Sequence, residues 1–325
     1  MKIYFSFYAL WAIAGVINPE IGFAQSYPAK PVRLMVPFPG GASGVDFTAR
    51  LFAPKLGEIL GQPVFIENRG GANGMIGSDN IAKSAPDGYS LLYTTPSTHV
   101  TATFISKNVP YDPIKDFTPI SAAVEPVSGI VVWPKLPIAN VKEMVAYAKA
   151  NRGKLTFTSS GIGSVFHLTG ELLNSAAGID LVHVPYKGTQ QALTDNMSGD
   201  VSMTLAAISG TLAFARSGKL RMIAILEGRR FAGLPDMPTV GESVPGFEKP
   251  SSWFGFFGPA NLPAPIVTRL HGDIVKMLNA PEIRGKLEES GVAVIGNSPV
   301  EFATLIKRGY EVYGKAFALS GIKPE

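Results

Sequence analysis

The sequence predicts an α/β protein of two domains, with mainly parallel sheets and a ligand cleft between them. Three observations carry this expectation. Short apolar runs alternate with helix-patterned stretches along most of the chain, as in βα units. Three junctions between a run and the helix after it are rich in glycine, serine and alanine. Around 117–133 and 252–258 the alternation gives way to apolar runs with little between them, as where a chain crosses between domains.

The first junction shows the pattern most clearly. Leu34-Met35-Val36 reads as a strand, followed by Pro37-Phe38-Pro39-Gly40-Gly41-Ala42-Ser43-Gly44-Val45-Asp46. Phe47, Leu51, Phe52, Leu56, Ile59 and Leu60 then recur at helical spacing, with Pro54 expected to kink the helix. A glycine loop opening a helix gathers unpaired N–H groups at the positive end of the helix dipole, where an anion can sit. A plain tight turn is the competing reading. Asp46 stands where an N-cap would accept helix amides.

The N-terminus has a basic start, an apolar run over 3–17 and small residues at Gly22 and Ala24. This pattern predicts a secretory signal peptide cut after Ala24. The alternative, a retained anchor, is short of the ~20 residues that span a bilayer. The 325 residues are 46% hydrophobic and 17% charged, with net charge +4. That balance fits a soluble protein with core enough for two domains. With no cysteine there is no disulfide, thiolate metal site or cysteine nucleophile. Basic runs of the kind that bind nucleic acid are missing too.

Val64–Asn68 is a second strand, and Arg69-Gly70-Gly71-Ala72-Asn73-Gly74 a second glycine loop, leading to a helix from Ile76 to Lys83. Ser90–Thr94 is a third strand. In such sheets ligands bind beyond the carboxyl ends of strands, which places the loops after Val36, Asn68 and Thr95 along one edge. Asn140-Val141-Lys142-Glu143 resembles a capping box. Ser159-Ser160-Gly161-Ile162-Gly163-Ser164 is the third small-residue loop, before a helix from His167 to Ala177. Strands over 182–186, 201–205 and 222–226 alternate with further helices. Beyond the aromatic run 252–258 the chain is helical, with starts at Pro265, Pro281 and a Ser298–Glu301 capping box. These last helices are expected to pack on the N-terminal domain.

Catalytic signatures are weak. Gly41-Ala42-Ser43-Gly44-Val45 approaches a nucleophile elbow, but Val45 replaces its last glycine. Neither a phosphate loop nor a complete dinucleotide fingerprint nor H-E-x-x-H occurs. His99, His167, His183 and His271 are widely separated and read as loop or packing residues. Three small-residue loops on two domains suit capture of a small polar ligand instead.

The chain resembles the Bug-type receptors of tripartite tricarboxylate transport systems over essentially its whole mature length. The resemblance lies in NRGGANGMIGSDNIAKSAPDGYSLL (68–92), YDPIKDFTPIS (111–121), SSGIGSVFHL (159–168), VPYKG (184–188) and LPDMPTVGES (234–243). It implies a type II periplasmic binding protein fold, with two α/β domains joined by two crossing strands. Residues 27–126 with 246–325 would form one domain and 127–245 the other. It also implies a periplasmic receptor that traps a small carboxylate, an organic acid or amino acid, without a metal or cofactor. Such a receptor would be a monomer and would serve membrane permease subunits.

By that resemblance the first loop contributes Phe38, Pro39, Gly40, Gly41, Ser43 and Asp46 to the ligand. Ser160, Gly161, Gly163, Ser164 and His167 contribute from the second domain. Ala72, Asn73 and Ser97 complete the candidates. Asp46 would either cap its helix or pair with a ligand amino group. Lys187 would act as counter-ion or point to solvent. Two other functions remain in view: a secreted serine hydrolase acting through Ser43 or Ser164, and a receptor feeding a sensor kinase.

Overall fold

The computed structural model describes residues 27–41, 44–186 and 188–323. The expected signal peptide, Ala42, Ser43 and Lys187 lie outside them.

The chain opens with β1 (Val32–Val36), α1 (Gly44–Leu60), β2 (Val64–Asn68), α2 (Met75–Ala82), β3 (Ser90–Thr94), α3 (Ala102–Ile105) and β4 (Phe117–Pro126). A second run follows: β5 (Ser128–Val132), α4 (Val141–Ala150), β6 (Thr156–Ser159), α5 (Val165–Ala177), β7 (Val182–Pro185), α6 (Thr189–Ser198), β8 (Met203–Ala207), α7 (Ile208–Arg216) and β9 (Arg221–Ile225). The return is β10 (Phe254–Pro259), α8 (Ala264–Leu278), α9 (Pro281–Glu289), β11 (Val292–Val294) and α10 (Pro299–Ser320).

These strands form two sheets, ordered β11-β4-β10-β3-β1-β2 and β7-β6-β8-β5-β9. Both are mixed, which corrects the expectation of mainly parallel sheets. The βα units do pair parallel: β1 with β2 and β3, and β6 with β7 and β8. The strands next to the crossings run against their neighbours, β10 against β3 and β4, and β5 against β8 and β9. A strand entering from the other lobe has no preceding crossover helix to turn it parallel. The three-residue β11, which carries too weak a pattern to read, closes one edge on β4.

β1 sits inside its sheet, and Val32, Leu34, Met35 and Val36 are all fully buried. α1 covers it with Val45, Ala49, Phe52, Leu56 and Leu60. The stripe is rotated from the expected one, leaving Phe47 48% exposed, and the helix runs on through Pro54. α8 and α9 join this core through Leu270, Ile274, Ile283 and Leu287. α10 begins at the full Ser298–Glu301 capping box. At α4, Asn140 caps Glu143 N–H, but the Glu143 carboxylate returns to the amide of Ala139. α10 bridges the lobes, since Val312, Ala316 and Phe317 share a core with Met35 and Phe257 of the first sheet and Leu168 and Leu172 of α5.

Only Val127 separates β4 from β5 at the outward crossing. Here Lys249 on the return passage lies 3.3 Å from both Glu125 and Glu227. Both Glu227 oxygens stand 3.0 Å from the amide of Ser128, and Glu125 accepts the amide of Ser252 at 2.6 Å. Each passage between lobes is thereby tied to the other.

Candidate functional site

The carboxyl ends of β1, β2 and β3 bring their three loops together. Gly74 packs so closely that a Cβ there would sit 2.7 Å from Thr98 Cγ2 and 3.2 Å from the Pro37 carbonyl. A Cβ on Gly70 would meet Pro39 at 3.0 Å. Phe38, Pro39, Ala72, Asn73 and Ser97 therefore belong to one loop cluster, as expected from the strand order. Ala72 (φ 46°) and Asn73 (φ 54°) are exposed and left-handed, a conformation uncommon for side-chain-bearing residues and concentrated at functional sites. Ser97 is half-buried and bonds Thr95 Oγ1 at 2.7 Å.

Asp46 is buried and lies inside the first turn of α1, not ahead of it. Its carboxylate accepts the Gly41 amide at 2.7 Å, Arg50 Nε at 2.8 Å and Asn68 Nδ2 at 2.7 Å. Burial opposes its charge, but the bonds from Arg50, Gly41 and Asn68 outweigh that and hold it below the usual carboxylate range. Asn68 also donates to the Phe38 carbonyl and accepts from Arg50. This clamp fixes the loop around Gly40 from behind. It also occupies the Gly41 amide, one of the donors the glycine pattern offers to an anion. Arg50 and Asn68 escape sequence reading because each looks like an ordinary helix or strand-end residue.

On the second lobe, Ser160 follows β6 and is exposed. Gly161 N–H is held by Ser159 Oγ at 3.1 Å and Gly163 N–H by His167 Nδ1 at 3.0 Å. Ser164 caps α5, its Oγ accepting from His167 N–H. The amides of Val165 and Phe166, and the Ser160 hydroxyl, make no hydrogen bond among the described residues. They are the open donors at a thirteen-residue helix start.

His167 and His183 converge, contrary to their separation in sequence. Their rings stack at 4.0 Å and 13°, and His183 Nε2 lies 2.7 Å from Ser159 Oγ. Burial, then the neighbouring His167, pushes His183 down to about 4; burial also lowers His167. The β6–α5–β7 unit produces this meeting, since His183 is in register with Phe157 on β6 and His167 lies one turn into the intervening helix. That topology is the signal by which His183 could have been found. His99 lies elsewhere, buried and stacked on Phe257 at 4.0 Å, as a packing residue.

Ser159 with His183 resembles a nucleophile and base, but Ser159 is 2% exposed and engaged with Gly161. Among the described residues no carboxylate hydrogen-bonds His183. Ser164 is spent as a cap. A separate cavity of 560 Å³ behind the crossing, lined by Glu125, Glu227, Arg229 and Phe231 among others, shares no residue with these loops.

Two mixed α/β lobes, tied by two passages and carrying glycine loops and a helix start at their strand ends, define a two-domain solute-binding protein. The model of the tripartite tricarboxylate transporter family receptor matches residues 48–315. The chain belongs to that family, and its members are periplasmic solute-binding receptors. It is 34% identical to BugT of Bordetella pertussis over 290 residues, 89% of this chain and 88% of BugT. A solved R. palustris protein with adipate is 32% identical at TM-score 0.73, over 92% of this chain and all of that one. MatC from Rhodopseudomonas palustris with bound malate is 30% identical at TM-score 0.67, over 89% of this chain and 99% of MatC.

Proposed function

We propose that this receptor captures a small carboxylate-bearing solute, organic acid or amino acid, between its lobes and delivers it to cognate membrane permease subunits. The observation that carries this is the start of α5, where two unspent amides and the Ser160 hydroxyl sit at the positive end of a helix. The adipate and malate bound by two relatives support the ligand class. The strand pairing supports lobes of 27–126 with 246–325 and of 127–245. The exported chain is cut after Ala24, acts as a monomer and performs no chemistry on its ligand. The first lobe is assigned Phe38, Pro39, Gly40, Gly41, Ser43, Ala72, Asn73 and Ser97 as its ligand-contacting candidates. Asp46 serves them through its clamp on Gly41, and Ser160 to Ser164 act from the second lobe.

A panel of carboxylates and amino acids, tested on protein stripped of carried-over ligand, is expected to contain at least one strong stabiliser. Ligand at a hundredfold excess over Kd adds about 2.7 kcal/mol to the native state. Melting curves unmoved by the whole panel reject the proposal.

Neutral donors hold the anion here. Ser160→Val is expected to weaken binding of the best panel carboxylate at least tenfold, because it removes a hydroxyl and sets methyl groups against the charge. Lys187→Met should cost less than tenfold, under about 1.4 kcal/mol. The reverse order, measured by calorimetry, means the site is built on a cation.

A further inference from the structure

We propose that His167 and His183 are positioning residues for the ligand loop, setting its shape from beneath and coupling binding to their protonation. The inference rests on the reading of that loop as the carboxylate site.

The loop from Ser160 to Ser164 has few ties of its own. Gly161 (φ 122°) and Gly163 (φ 77°) place it in a conformation that other residues rarely adopt. What holds it is a side chain at each end. At the near end Ser159 Oγ meets both the amide and the carbonyl of Gly161, and His183 Nε2 holds that hydroxyl at 2.7 Å. At the far end His167 Nδ1 accepts the Gly163 amide, while Ser164 Oγ accepts the His167 amide. The stacked rings join the two ends into one support. Phe157 packs near His183 at 4.9 Å, so the pair rests on the buried face of β6.

The two rings respond to a proton differently. Because Nδ1 of His167 accepts from Gly163, its neutral form carries the proton on Nε2. A second proton has to go onto Nδ1, where it would face the Gly163 N–H donor to donor. Protonated His183 keeps an Nε2–H that can donate to Ser159 Oγ, whose own hydrogen goes to the Gly161 carbonyl. Acid therefore breaks the support at His167 and spares it at His183.

Among the described residues, the charged groups around the pair are few. Glu171, on the same helix, is 3.7 Å from His167 Nε2 and is itself pushed up by burial, with Asp180 adding in the same direction. His183 is the titratable neighbour from β7, and among the described residues of the C-terminal tail the apolar Ile322 is the one that lies against Gly163. Burial of both rings, joined at His183 by the repulsion of His167, favours the neutral imidazoles near pH 7.

The test compares substitutions that keep or delete the hydrogen-bonding group. His167→Asn retains an acceptor near the Nδ1 position, and His167→Leu removes it. At His183, where Nε2–H donates to Ser159 Oγ, His183→Gln retains an N–H donor near the Nε2 position and His183→Leu removes it. In ligand-free protein, exchange of the Gly163 amide by NMR should accelerate at least tenfold in His167→Leu and stay near wild type in His167→Asn. With succinate as probe, both leucine variants should lose at least tenfold in affinity, and the Asn and Gln variants less than threefold. From pH 7 to pH 5, wild type should lose more succinate affinity than His167→Asn, the titration of succinate itself being common to both. Unchanged Gly163 exchange in His167→Leu, parallel pH profiles, or equal losses in the Asn and Leu variants overturns the inference. If wild type ignores succinate and the other panel carboxylates while the exchange result holds, the ligand assignment fails and the loop support stands.

Discussion

Lys249→Met is expected to destabilise the protein by roughly 3–5 kcal/mol, the loss usual when one partner of a buried ion pair is removed. The Lys249 side chain is 2% exposed, against 18% for Glu125 and 9% for Glu227. Burial works against the charge of Lys249, but the two carboxylates together push its pKa above the ordinary value. Without the ammonium, two carboxylates would share a site from which water is largely excluded. Burial already pushes Glu227 upward with Lys249 in place. The double variant Lys249→Met, Glu227→Gln should recover part of the loss, since glutamine still offers an oxygen to the Ser128 amide and removes one charge. Urea unfolding at pH 7 measures both. A single-variant loss under about 1 kcal/mol would mean that the crossing does not depend on this cation.

Acid should weaken the fold through His99. Burial alone depresses this imidazole to about 3 from an ordinary value of 6.5. Its Nδ1 lies 2.8 Å from Thr98 Oγ1, and Nε2 is buried with no partner among the described residues. The folded pKa lies below the unfolded one, so its stabilising contribution is complete above pH 6.5. It is lost as pH falls from 6.5 toward 3, because the unfolded chain takes the proton first. The slope approaches about 1.4 kcal/mol per pH unit below pH 6, giving a loss of about 2 kcal/mol between pH 6.5 and pH 4.5. His183 contributes in the same direction over 6.5 to about 4. His99→Phe keeps a ring between Phe117 and Phe257 and removes the titration. Its urea stability should fall less steeply with acid than that of wild type. Identical slopes would place the acid sensitivity elsewhere.

The Gly-rich loops and the capped helices were legible because each follows from a few adjacent residues. Ser298-Pro299-Val300-Glu301 specifies its cap locally, and the structure contains it. Gly70 and Gly74 were read as a second glycine loop, and the structure adds that each of Gly70, Gly74 and Gly77 faces a close neighbour. The Asp46 clamp was only half legible. Its position beside a helix start was plain, but its partners Arg50 and Asn68 come from a helix turn and a neighbouring strand. The irregular turn at Ser97–Thr101 carried no pattern to read.

By itself the sequence determined the alternation of strands and helices, the places of the glycine- and serine-rich loops and the family to which the chain belongs. All three are written in short-range patterns: apolar period, glycine where φ is positive, and contiguous motifs. Tertiary structure alone decided the direction of the strands beside the crossings, the stack of His167 on His183 and the Glu125–Lys249–Glu227 tie. These depend on residues far apart in the sequence meeting in the folded chain, Lys249 and Glu125 being 124 positions apart. A lysine that reads as surface charge in the sequence becomes a buried pivot only when two passages of chain close around it.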